Sequence, residues 1–154
     1  MPTSTLIQFL GEGAGTDTSA RRQVATFIAA EAIGANDAVS LDLAQAIDGD
    51  KALKVMKADT GTATDKCFVG VALEAAAVGA RIDVCIAGIC EANVAGTTAA
   101  GSVLQIGSTA GRLDVRTTAV NEGGAATFNL FPVCGIASEA DTANVATIFV
   151  FKQF

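Results

Sequence analysis

Apolar and polar residues alternate with a period of two in short runs along most of this chain. Val24, Thr26 and Ile28 oppose Ala25 and Phe27; Val39 and Leu41 oppose Ser40 and Asp42; Leu53 and Val55 oppose Lys54 and Met56. Farther on, Ile82, Val84 and Ile86 oppose Asp83, Cys85 and Ala87, Leu113 and Val115 oppose Asp114 and Arg116, and Ile148, Val150 and Lys152 oppose Phe149 and Phe151. Side chains on a strand point alternately to its two faces, so each run predicts a short, half-buried strand. Alanine is abundant and favours helix, yet no apolar stripe at i, i+3, i+4, i+7 continues for three turns. Glycines recur between the runs. The pattern predicts an all-β chain, a small β-barrel or β-sandwich. Its best helix candidate is Ala72 to Val78, ended by Gly79. The Asp48-Gly49 pair within Ile47 to Lys51 is a hairpin-type turn signal. Asp59 to Asp65 reads as a longer polar loop, with 121–125 its counterpart.

A short phrase appears twice. Gly70-Val71-Ala72-Leu73-Glu74-Ala75 returns as Gly135-Ile136-Ala137-Ser138-Glu139-Ala140, an offset of 65 residues. The same shift carries Ala35 to Leu41 onto Ala100 to Ile106, again turn residues followed by an apolar strand pattern. These observations predict two related β-units, 24–86 and 89–151. Chance likeness in a chain rich in Ala and Gly is the competing account. The glycine of the phrase suits close backbone approach or a bend, and its glutamate leads into a turn.

Residues 1–22 read as an extended N-terminal arm, and 23–154 as the β-barrel-like domain. Leu6, Ile7, Phe9 and Leu10 form an apolar tip, and 11–19 is a glycine-rich tether without period. Such an arm is either a docking device or a frayed terminus. Docking is the stronger reading, because four large apolar side chains are costly to leave in water. Arg21 and Arg22 close the arm and are the tightest basic cluster in the chain.

Composition narrows the function classes. The chain has 154 residues, enough for one domain with a sizeable core; 51% are hydrophobic and only 17% charged. An uncharged surface rich in Ala, Val, Thr and Gly suits partial burial against another protein. The formal net charge is -6 and the basic residues are scattered, which argues against nucleic acid as a partner. No run approaches 18 apolar residues, so no membrane span is expected. The start lacks the basic region of a secretory signal, which predicts folding in cytoplasm. There the default for Cys67, Cys85, Cys90 and Cys134 is the free thiol. Zinc held by the four is disfavoured, since only Cys85 and Cys90 approach chelating spacing. A Cys85–Cys90 disulfide requires a tight turn between them.

The chemistry of catalysis is thin. There is no His, Trp or Tyr, so the commonest general base and metal ligand is missing. Gly11 to Gly15 lacks the Lys-Ser/Thr ending of a phosphate loop. Glu74 and Glu139 are paired carboxylates only in sequence, and nothing in the sequence brings them together. Phe27, Phe68, Phe128, Phe131, Phe149 and Phe151 fall in predicted strands, where core packing is the simplest account. The expectation is no enzyme, no cofactor, no metal and no catalytic residue.

The run from Phe68 through Gly70-Val71-Ala72-Leu73-Glu74-Ala75 to Ile82-Asp83-Val84-Cys85-Ile86-Ala87-Gly88-Ile89-Cys90-Glu91 resembles the core of tailed-bacteriophage capsid decoration proteins, also called cement or head-stabilisation proteins. Ala30 to Leu41, Ala52 to Asp59 and Ala99 to Leu104 are similar to the same group, so the likeness covers roughly 24–110. The motifs are small and apolar, and other phage head or tail proteins use similar barrels. The resemblance implies a β-barrel-like virion protein on the outer capsid surface, assembled in the host cytoplasm. It also implies the major capsid protein as partner, self-association often as a homotrimer, and an arm reaching over capsid subunits. On this reading Leu6, Ile7, Phe9, Leu10, Arg21 and Arg22 contact the capsid, although the arm matches no family motif. A tail, fibre or baseplate-associated β-barrel protein is the alternative.

Overall fold

The computed structural model describes residues 22–60, 67–116 and 132–153. The arm up to Arg21, most of the predicted loop at 59–65 and its counterpart at 121–125 lie outside the described residues.

Nine strands and one short helix follow in the order β1 (Gln23–Ala29), β2 (Ala38–Leu41), α1 (Asp48–Leu53), β3 (Lys54–Lys57), β4 (Phe68–Ala72), β5 (Arg81–Asn93), β6 (Val103–Ile106), β7 (Leu113–Val115), β8 (Val133–Ala137) and β9 (Val145–Val150). The all-β expectation holds. The strands pair in the order β1-β3-β2-β4-β5-β9-β8-β6-β7, and an additional β1–β5 ladder closes the first five into a barrel. β5 is long because it serves twice. Its first half pairs with β1 and β4, and from Gly88 onward it pairs with β9. Gly88, at φ 99°, sits at the changeover, a backbone conformation that a Cβ resists.

The second unit repeats the first in hydrogen-bond register. Ala38↔Val71, Val39↔Gly70 and Ser40↔Phe68 join β2 to β4, with an irregularity after Val39. Val103↔Ile136, Leu104↔Gly135 and Gln105↔Val133 join β6 to β8, with the same irregularity after Leu104. Every one of these positions is shifted by 65. The parallel β1–β3 pair Ala29↔Val55 has a partial counterpart in the single parallel bridge Val94↔Leu113. The β6–β8 ladder thus repeats the register of the β2–β4 ladder, and β5 runs through both halves of the sheet.

Two interiors result. Ala29, Ile33, Val39, Val55, Val69, Ala72, Ala76, Ile82 and Val84 fill the first. Cys90, Ala92, Val94, Leu104, Ile106, Leu113, Cys134, Ala137, Ala146, Ile148 and Val150 fill the second. Even-numbered side chains of β5 line both, so one strand face serves two cores. Ala38, Ala58, Phe68, Val71 and Cys85, from the outer face of the first barrel, belong to the second cluster. They knit the units together.

Hydrogen bonds seal this seam. Ala38 N donates to Gly111 O at 2.8 Å, and Gly111 N donates to Ala58 O at 2.9 Å. The Asp37 carboxylate accepts from Gly34 N at 2.7 Å and from Asn93 Nδ2 at 2.9 Å. A Cβ on Gly111 would lie 2.8 Å from the Asp37 carboxyl carbon, so the loop 107–112 approaches as closely as it does only because that residue has no side chain.

Local expectations fail at three places. The Asp48-Gly49 pair does not form a tight hairpin; it opens α1. Asp48 and Asp50 lie in the first turn and Lys51 in the last, where each complements the helix dipole. Lys51 and Lys54 pair with Asp48 and Asp50 at 2.8 and 3.2 Å. The chain does reverse between β2 and β3, but through this helix. Leu53, expected in a strand, ends the helix and is exposed. Conversely, 72–78 is not helical. Leu73 N donates to Asp83 O, and Ala76 and Ile33 exchange both backbone bonds at 2.9 Å. Those partners take the groups a helix would need.

Candidate interaction surface

The cysteines are the chemically richest group that the fold brings together. Cys85 and Cys90 belong to one buried cluster, near enough on β5 for their thiols to hydrogen-bond. That bond holds the Cys85 thiol below its ordinary value, with burial opposing and the Arg22 charge assisting. The same bond, then burial, pushes the Cys90 thiol up. Burial pushes Cys134 up to about 12. All four thiols are free, and only Cys67 is not fully buried. Burial and a raised pKa make Cys90 and Cys134 poor nucleophiles. Among the described residues, no three His, Cys, Asp or Glu side chains gather as a metal-binding group, and no helix is long and apolar enough to cross a membrane.

Glu74 and Glu139 stand at the ends of β4 and β8, one per unit, and both are exposed. The Glu139 carboxylate accepts from the Thr147 hydroxyl. It also lines a polar recess of about 320 Å³ with Asn36, Glu91, Thr142, Val145 and Thr147. This recess carries two carboxylates, Glu91 and Glu139, and no cationic side chain among its lining residues. A second recess, about 330 Å³, is lined by Thr26, Phe27, Ile28, Leu53 and Arg81 on the first barrel.

Of the residues expected to touch a capsid, only Arg22 is described; it is exposed just ahead of β1. Leu6, Ile7, Phe9, Leu10 and Arg21 lie outside the described residues.

What sequence reasoning missed is an apolar row on the second unit. Val103 pairs with Ile136, Ile136 with Phe149, and Phe149 with Ile89, across β6, β8, β9 and β5. Val103 is 36% exposed and Phe149 46%. Ile136 and Ile89 are half-buried. Phe151 meets Phe149 edge-on at 6.1 Å between ring centroids. Phe149 was expected in the core, but Ile148 and Val150 take the inward positions and leave it outside. The signal was present: Ala38 and Val71, shifted by 65, become Val103 and Ile136, larger by two carbons and one.

No family model matches the chain, and no curated protein matches it. Among solved structures, the N base of the head fibre gp8.5 of bacteriophage phi29 is similar in fold. The TM-score is 0.54 at 16% identity, over 84% of this chain and 94% of that one.

Proposed function

We propose that this chain is a structural protein of a phage virion, bound to the outside of the head, with no chemistry of its own. The observation that carries the reading is the shared fold with a phage head-fibre base over most of both chains. The resemblance of the Phe68–Glu91 run to capsid decoration proteins points the same way. An acidic, weakly charged chain suits the outer face of a shell better than its nucleic-acid-facing interior. The partners on this reading are the major capsid protein and further copies of the chain, a homotrimer being the expected assembly.

The finer statement is that the protein cements the shell. A protein that binds assembled shell but not dissociated subunits shifts the equilibrium toward shell by mass action. Leu6, Ile7, Phe9 and Leu10 would each contribute roughly 1.5–3 kcal/mol if fully buried. Ordering the tether costs about 1–2 kcal/mol per fixed residue. The arm therefore helps only if its tip docks while much of the tether stays loose.

The test is sedimentation of the full chain with pre-formed heads of the parent phage that lack it. Saturable binding and greater resistance of the heads to heat or chelators are expected. Deleting residues 1–20 should leave a folded protein that binds heads weakly. Full occupancy by the truncated chain would make the arm a frayed end, and no binding by the intact chain would sink the reading. The fold likeness to a fibre base also favours a second reading, a mount for a fibre. Occupancy of a few positions per head without shell stabilisation would select it.

A further inference from the structure

The two units bury their outer faces unequally. On the first, Ala38, Val71 and Cys85 form a row across β2, β4 and β5, and all three are 0% exposed. The second unit lies over them: Gly111 of the loop 107–112 bonds to Ala38, and Asn93 at the end of β5 bonds to Asp37. The row Val103–Ile136–Phe149 occupies the same place on the second unit, as the strand pairing establishes. Nothing among the described residues lies over it as the second unit lies over the first.

The covering elements also have counterparts. The loop 107–112 joins β6 to β7 as 42–53 joins β2 to β3, and the end of β5 corresponds to β1. On the first unit these counterparts carry four exposed large apolar side chains, Leu43 at 39%, Ile47 at 66%, Leu53 at 52% and Val24 at 45%, while Val78 at 68% stands apart in the β4–β5 connection. One unit thus presents an uncovered acceptor row, and the other presents the uncovered elements that correspond to the donor.

We infer that the Val103–Ile136–Phe149 row is a self-association surface, and that its occupant is the β2–β3 connection of a second copy of this chain. The contact between copies repeats, head to tail, the contact between the two units within one copy. Its side chains differ in the direction such a contact needs. Within a chain the joint is covalently tethered and small residues suffice. Between copies a larger buried area must offset the loss of free motion, and Phe149 and Ile136 supply it. A head-to-tail contact is heterologous: it closes into a ring where the rotation allows and otherwise runs on as a filament. The inference supplies the surface for the self-association proposed above. It is tested on isolated protein without heads, so its failure and that of head binding are distinguishable.

The test uses native mass measurement and sedimentation velocity on the full chain and two variants, Phe149→Asp and Ile47→Asp. Both positions are exposed, and circular dichroism checks that the β spectrum is kept. The wild-type chain should form a ring whose mass is a discrete multiple of 15.4 kDa, or a longer head-to-tail filament. Each variant alone should be monomeric. An equimolar mixture of the two should give a dimer and nothing larger, because one intact face remains on each partner. Retention of the wild-type mass by Ile47→Asp while Phe149→Asp dissociates would overturn the head-to-tail contact, since the row would then meet its own copy or another segment of the chain. A monomeric wild type, or variants that keep its mass, would overturn the surface itself. If an aspartate variant loses its fold, a chain with both Ile47→Cys and Phe149→Cys replaces it. Oxidation should then link copies through 47 and 149, and failure of that link, read by peptide mapping, would also overturn the inference.

Discussion

Replacing Gly70 by alanine should destabilise the protein by about 2–4 kcal/mol, although the same change in an open strand position is favourable. A Cβ at Gly70 would lie 2.1 Å from the backbone oxygen of Cys85 and 2.9 Å from its carbonyl carbon, where real contacts stay above 3.0 Å. The obstacle is the main chain of a paired strand, not the end of a flexible side chain. Relief requires β4 to part from β5, where Val71↔Cys85 and Ala72↔Val84 are paired. Overpacking a tight interior costs about 1–3 kcal/mol, and each weakened ladder bond about 0.5–1.5 kcal/mol. The lost backbone freedom of the unfolded chain returns only about 0.5–1 kcal/mol. Gly135→Ala meets Phe149 O at 2.4 Å and should cost less, because β9 faces the uncovered side there. Gly49→Ala is the control. Nothing lies within 4 Å of its Cβ position, and it sits in α1, so stability should rise by up to about 1 kcal/mol. Urea unfolding followed by circular dichroism reads all three. At about 1–3 kcal/mol per molar urea, the Gly70→Ala midpoint should fall by roughly a molar. A midpoint equal to or above wild type would refute the reasoning from close approach.

Asp37→Ala removes the acceptor of Gly34 N and one of the two acceptors of the Asn93 amide, which keeps Ala35 O, at the seam between the two units, and should cost about 1–3 kcal/mol in the same assay. Leu104→Ala removes a fully buried side chain from the second interior and should cost about 2–5 kcal/mol, read as a lowered thermal midpoint. Cys134 gives an alkaline signature. Its folded value is about 12 against an ordinary 9.0, so the unfolded chain ionises first and stability, intact below pH 9.0, is lost as pH rises toward 12. The slope is about 1.4 kcal/mol per pH unit. Cys90, also raised, adds to it, and Cys85, lowered, works against it. Cys134→Ala should flatten the slope relative to wild type, and an unchanged slope would contradict the assignment.

Much of the fold was legible because strands announce themselves locally. Alternation over 82–86 and 148–152 reads the pleat directly, and β5 and β9 stand there. The repeated phrase at 70 and 135 marks β4 and β8, whose glycines both lie against the backbone of the next strand. Absence of histidine and scarcity of charge are likewise properties of composition alone. What local pattern could not reach were outcomes of competition between partners. The helix at 48–53 and the loop at 72–78 were exchanged, because the first is set by charges at its own ends and the second by bonds to Ile33 and Asp83 far along the chain.

The sequence by itself determined that this is an all-β chain. Which face of each unit is covered was decided only in three dimensions. A uniform shift of 65 would align Cys85 with Val150 and Val84 with Phe149, placing Phe149 inside. The ladders instead pair Val71 with Cys85 and Ile136 with Phe149, one residue short of that shift. On a strand a slip of one residue exchanges the two faces. One residue fewer between β8 and β9 therefore sends Val150 into the core and Phe149 to the surface, and no pattern within β9 records the length of that turn.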